Sequence, residues 1–238
     1  MILEVCANSY QSAIAAQNAG AHRIELCVDL EVGGLTPSFG LIKKVLADLN
    51  IPVFVLIRPR PGNFTYSDDE FEMMTSDLLL AKEMGCAGIV SGSVTQDYAV
   101  HIEQTKALIE MSLPLPFTFH RAFDLLTDPK KAVIDLIDLG ADRLLSSGQE
   151  YYAYKGLDLL KELRVIANNK IEIMPGGGIN PSNAIKFKEA GFNEIHAAAL
   201  CKIGECVSKD GKLFEDDEMR YSDEKIIRGI LDAIKDEA

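Results

Sequence analysis

Short apolar runs alternate with longer stretches of helical period from one end of the 238-residue chain to the other. Strands are predicted at residues 2–6, 22–27, 53–58, 88–91, 117–121, 143–147, 171–174 and 194–198. Helices are predicted at 9–18, 38–49, 67–84, 100–110, 128–139, 154–168 and 181–190, with an eighth at 223–235. The helix ends carry their own signals. Ser67 is followed three residues later by Glu70, a reciprocal N-terminal cap. Asp128-Pro129 and Asn180-Pro181 place proline where a helix begins. Gly20, Gly85, Gly140 and Gly191 each follow a helical run and precede a strand, as left-handed caps do.

Alternating β and α units imply a parallel sheet. Eight of them in this length fit one closed (β/α)8 TIM barrel, a fold of ~250 residues. An open doubly wound sheet is the rival. Against it, the first strand-to-helix turn, Cys6-Ala7-Asn8-Ser9, has no G-x-G-x-x-G. No linker divides the chain, so residues 1–238 read as one barrel domain. A polar surface loop is expected at about 201–222, ahead of the last helix.

Charge excludes some functions. The net charge of −12 argues against nucleic acid and against docking on an anionic membrane. No apolar run approaches the ~20 residues of a membrane span. The start, Met1-Ile2-Leu3-Glu4, meets an acid at once and reads as a strand, not a signal peptide. Five cysteines cannot all pair within the chain, which suits a reducing, cytoplasmic setting.

Polar side chains on barrel strands are best placed inward, because the outer strand face packs on helices. Period-two alternation then puts Glu4 and Cys6, Glu25 and Cys27, Phe54 and Arg58, Thr118 and His120, Glu172 and Met174, and Glu194 and His196 in the lumen. Buried charges need partners or a ligand; Glu25 with Arg58 is one pairing to expect. Barrel chemistry sits at the carboxyl ends of the strands. Cys6 and Cys27 each end a Glu-x-Cys motif, on strands ~4.8 Å apart, so two thiols at matching height could hold one soft cation, form a disulfide, or simply pack. Gly176, Gly177 and Gly178 before a helix, with Ser147 after the sixth strand, are candidate anion donors. Cys201 and Cys206 have C-x4-C spacing without a nearby histidine, a weak metal signal. The strand ends carry no lysine, which disfavours a Schiff-base aldolase.

Several long motifs occur in an order that resembles the CutC family. They are Glu4-Val5-Cys6, Gly20-Ala21-His22-Arg23-Ile24-Glu25-Leu26-Cys27, Gly33-Gly34-Leu35-Thr36-Pro37-Ser38, Val55-Leu56-Ile57-Arg58-Pro59-Arg60, Tyr66-Ser67-Asp68, Thr118-Phe119-His120-Arg121-Ala122-Phe123-Asp124, Ser146-Ser147-Gly148-Gln149 and Met174-Pro175-Gly176-Gly177-Gly178. The resemblance implies a barrel, a cytoplasmic location and a role in copper homeostasis, with Cu(I) on the cysteines that match Cys6 and Cys27. Two stretches depart from the family pattern. Arg58-Pro59-Arg60-Pro61-Gly62-Asn63-Phe64 stands for R-P-R-G-G-D-F, and Ser91-Gly92-Ser93-Val94-Thr95 for F-G-A-L-T.

Two functions follow as expectations. In the first, the chain binds Cu(I) through Cys6 and Cys27, with Glu4, Glu25, His196, Arg58 and His120 shaping the site. In the second, the lumen is an enzyme site for a small anionic or phosphorylated metabolite. Gly176–Gly178 and Ser147 would then hold the anion, His120 and Glu172 would move protons, and Arg58 would stabilise charge. The expected partners are a metal ion or small anion, and a homodimer is the simplest assembly.

Overall fold

The computed structural model describes residues 1–202 and 220–235. Eight parallel strands form the barrel: β1 (Ile2–Ala7), β2 (Arg23–Leu26), β3 (Val53–Leu56), β4 (Gly88–Ser91), β5 (Phe117–Phe119), β6 (Arg143–Ser146), β7 (Glu172–Pro175) and β8 (Glu194–Ala197). The order is β7-β6-β5-β4-β3-β2-β1-β8, and a parallel bridge between Gly176 and His196 joins the two ends. All eight strand expectations and the closed barrel are met.

The helices are α1 (Tyr10–Ala19), α2 (Phe39–Asp48), α3 (Asp68–Glu83), α4 (Ile102–Ser112), α5 (Pro129–Leu139), α6 (Leu157–Ala167), α7 (Ala184–Glu189) and α8 (Glu224–Ile234). Ser67 and Glu70 form the expected reciprocal cap on α3. Pro129 opens α5 behind the Asp128 cap. Pro181 does not open α7. The Asn180 side chain accepts from the Ser182 N–H at 2.9 Å, making a turn that delays the helix to Ala184.

The expected loop at 201–222 is corrected at its ends. β9 (Leu200–Lys202) pairs antiparallel with β10 (Arg220–Ser222). Cys206 lies outside the described residues.

The strands divide their side chains between two apolar clusters. Leu3, Val5, Ile24, Leu26, Val53 and Val55 face the helices. Cys6, Cys27, Phe54, Leu56 and Val90 form a separate cluster in the lumen. Period two is thus honoured in the phase read from the sequence. At Gly88 a Cβ would stand 2.5 Å from the Phe54 ring, so this glycine makes room for the aromatic floor of the lumen. None of the described helices is long and apolar enough to cross a membrane.

Candidate metal centre

A chain of buried ions runs up the barrel interior. Arg143 donates to Glu194 Oε2 at 2.6 Å and to Thr118 Oγ1 at 3.1 Å. Arg23 lies between Glu194 and Glu4 and bonds both carboxylates. The two guanidiniums lie 5.2 and 5.3 Å from the centre of the Phe54 ring. Two acids and two arginines cancel, which is how a barrel interior tolerates four ionised groups. Burial alone would raise the Glu4 pKa, but the His196 hydrogen bond and the Arg23 charge outweigh it and hold Glu4 at about 2.

The chain ends on a cluster of thiol, carboxylate and imidazole groups that could hold a metal ion. Glu4 and His196 are register partners on β1 and β8, and His196 Nδ1 lies 2.8 Å from Glu4 Oε1. A carboxylate accepts, so this bond puts a proton on Nδ1 and turns Nε2 toward the rest of the cluster. Cys6 pairs with Glu25 across β1 and β2, and its thiol donates to Glu25 Oε1 at 3.8 Å. Sulfur, carboxylate oxygen and imidazole nitrogen of Cys6, Glu25 and His196 lie within 4.8 Å of one another.

Cys27 Sγ is 3.6 Å from Cys6 Sγ, both as free cysteines, so the disulfide alternative is not the state described. Contact with Cys27, then burial, pushes the Cys6 pKa well above the usual thiol range. Burial raises Glu25 to about 7. Its Oε2 is buried with no hydrogen-bond partner. An acid with an unpartnered oxygen beside two thiols and an imidazole is a donor set that suits a soft cation.

Other expectations change. Arg58 does not pair with Glu25. Its Nη1 donates to the carbonyls of Val32 and Gly34, each at 2.8 Å, and its Nη2 to Gly62 at 2.9 Å, because residue 58 lies beyond the end of β3 and its side chain turns into the loops. Glu172 is the first residue of β7, at the amino-terminal rim, where it accepts from Asn193 at 3.1 Å. His120 follows β5 at the opposite rim, so the structure does not join the two as a proton-transfer pair. Burial, then the Arg58 charge, lowers His120 to about 3. It is a neutral imidazole and a poor base near neutrality.

The expected anion loops are largely spoken for. Ser147 N–H and Gln149 N–H donate to the Asp124 carboxylate at 3.0 and 3.2 Å, and the Ser146 and Ser147 hydroxyls join them at 2.6 and 2.8 Å. The chain's own carboxylate fills the cradle that Ser147 was expected to offer an anion. Gly176 N–H is bonded to the Ser146 carbonyl at 2.9 Å. A Cβ on Gly178, at φ +68°, would meet Tyr152 Cδ1 at 2.4 Å, so close packing accounts for that glycine. Arg23, Arg143 and Asp124 are the interior polar residues that sequence reasoning missed. Arg23 shares the period-two phase of Glu25 and Cys27, a signal that was available.

Fold and lumen together define a (β/α)8 barrel protein with a thiol–carboxylate–imidazole cluster at its mouth. A CutC family model matches residues 1–201. A human relative named copper homeostasis protein cutC homolog is 46% identical over 199 residues, 83% of this chain and 73% of that one. A CutC family protein of Pasteurella multocida is 46% identical over 197 residues, 82% and 81% of the two chains. A solved structure bearing the name copper homeostasis protein CutC, from Streptococcus agalactiae, superposes with a TM-score of 0.78 at 36% identity, over 83% of this chain and 98% of that one. The phosphoribosylanthranilate isomerase of Pyrococcus furiosus shares 14% identity at a TM-score of 0.58 over 98% of each chain, which speaks for the barrel alone. The chain belongs to the CutC family of copper homeostasis proteins.

Proposed function

We propose that this protein is a cytoplasmic copper-handling protein that binds Cu(I) at the barrel mouth through Cys6 and Cys27, with His196 completing the site. The observation that carries this reading is the separation of the sulfurs. A metal ~2.3 Å from both, with the sulfurs 3.6 Å apart, subtends about 103°. A linear two-sulfur site would need about 4.6 Å. The angle is that of a bent site with room for a third ligand, and the His196 imidazole, which would give up its second proton to the metal, is turned toward it. Glu4 supports that ligand in the manner of a carboxylate–histidine–metal triad. Glu25 lies beside the metal position with a free oxygen and supplies negative charge. Soft thiolates select Cu(I) over harder cations. Two adjacent free thiols fit a reducing compartment.

The test is a titration of reduced protein with Cu(I) against a competing chelator. One equivalent should bind, and Cys6→Ser and Cys27→Ser should each weaken it by about a hundredfold or more. His196→Gln should cost less than either cysteine. A Cys6→Ser/Cys27→Ser double variant that competes as well as wild type overturns the proposal.

A further inference from the structure

Arg58 is a buried cation without a counter-ion. It is 2% exposed, and no carboxylate among the described residues reaches it. Its ties to the carbonyls of Val32, Gly34 and Gly62 use both Nη1 hydrogens and one of the two on Nη2. Nε is buried with no partner. The surrounding loops are shaped to the guanidinium: a Cβ on Gly33, at φ +92°, would stand 3.2 Å from Nη1. Carbonyl dipoles position such a group but do not neutralise it.

A second orphan donor shares its wall. His120 Nδ1 accepts from the Ala122 N–H at 3.3 Å, which leaves the proton of the neutral ring on Nε2. Nε2 is buried and has no partner. Phe64 touches both groups. The Arg58 guanidinium lies 4.5 Å from the Phe64 ring centre, and the His120 ring lies 4.8 Å from it, edge-on. The Tyr66 hydroxyl is buried beside Arg58 and faces its guanidinium, so it lines the same wall without neutralising the charge. Two unpartnered donors and one uncompensated positive charge, gathered where β3 and β5 end, call for an acceptor that carries negative charge.

We propose that Arg58 and His120 form a binding site for a small oxyanion, a carboxylate or phosphate group, seated against Phe64 at the barrel mouth. Arg58 offers Nε–H and the remaining Nη2–H, a fork that matches two oxygens of one anion. His120 offers Nε2–H from a ring that stays uncharged, so it fixes the anion's orientation while Arg58 supplies the charge. The site adjoins the thiols through the Gly33–Gly34 turn. Gly34 O holds Arg58, while a Cβ on Gly34 would lie 3.6 Å from Cys27 Sγ. A molecule carrying an oxyanion could therefore lie beside a metal at Cys27. The anion site does not itself rest on the copper reading, because its donors are present without metal.

The experiment uses metal-free, reduced, full-length protein with imidazole-labelled histidines. Sodium acetate, sodium phosphate and neutral acetamide are titrated at constant ionic strength, with chloride as the balance. Acetate or phosphate should shift the His120 Nε2 resonance saturably and raise the melting temperature. The tighter of the two identifies the headgroup. Arg58→Lys and His120→Asn should each weaken binding about tenfold or more; the asparagine retains an acceptor for the Ala122 N–H, so this variant tests the donor if Arg58→Lys unfolds. The proposal is overturned if neither oxyanion moves that resonance at about 100 mM, far above a ~1 mM Kd. It is overturned equally if acetamide binds as well as acetate, or if the folded His120→Asn variant binds like wild type. Failure here with Cu(I) binding intact removes the anion site alone.

Discussion

Glu4 and His196 face each other across the seam between β1 and β8, with the imidazole Nδ1 2.8 Å from the carboxylate. This pair joins the ionic interior of the barrel to its mouth. Below it, Glu4 is held by Arg23; above it, the imidazole meets Cys6 and Glu25. Orientation of a ligand by a buried carboxylate is a recurring feature of metal sites.

Replacing Glu4 by glutamine should therefore weaken Cu(I) binding about 10–100-fold, although Glu4 is not itself a ligand. The same change leaves Arg23 short of one counter-charge, and breaking a buried pair costs about 3–5 kcal/mol. Chelator competition and urea unfolding measure the two effects separately. An unchanged copper affinity would show that His196 is not the third ligand.

Asp124 gathers the loop after β6 by accepting from Ser146, Ser147 and Gln149. Asp124→Ala strands those donors, and its side chain is only 9% exposed. A loss of about 2–3 kcal/mol in urea unfolding is expected. A loss below about 0.5 kcal/mol, the scale of an ordinary surface change, would mean that the carboxylate is not the element that organises the loop.

His120 sets a pH dependence. Its pKa is lowered from 6.5 to about 3 by burial and then by the Arg58 charge. Between those values the unfolded chain binds more protons than the folded one, so stability falls as pH falls. The contribution is complete above pH 6.5 and is lost as pH drops toward 3. Relative to His120→Asn, the wild type should lose about 1.4 kcal/mol of stability per pH unit within that window. Parallel stability–pH curves for the two proteins would contradict this.

Much of this architecture is legible in the sequence, for a physical reason. A helix-ending glycine stands three residues ahead of β2, β4, β6 and β8, and period two then assigns a face to each residue. Glu4, Cys6, Glu25, Cys27 and His196 were placed in the lumen this way and meet there. Phase, however, says nothing about height. Glu172 and His120 were both read as lumen residues, yet they stand at opposite rims, because one begins its strand and the other follows the end of its strand. Nor does phase tell which loop captures a long side chain. Arg58 ends on three carbonyls from two loops, a choice set by tertiary geometry. Asp124 fills a cradle formed more than twenty residues away, a contact that only closure of the barrel creates. The strands β9 and β10 are three residues each, too short and too polar to announce themselves.

The proposed copper site is tested most directly by X-ray absorption at the copper edge on reduced protein loaded with one equivalent of Cu(I). The account expects two sulfur scatterers and one imidazole nitrogen, with the nitrogen contribution lost in His196→Gln. A site with no sulfur, or a linear pair of sulfurs without imidazole, would contradict it.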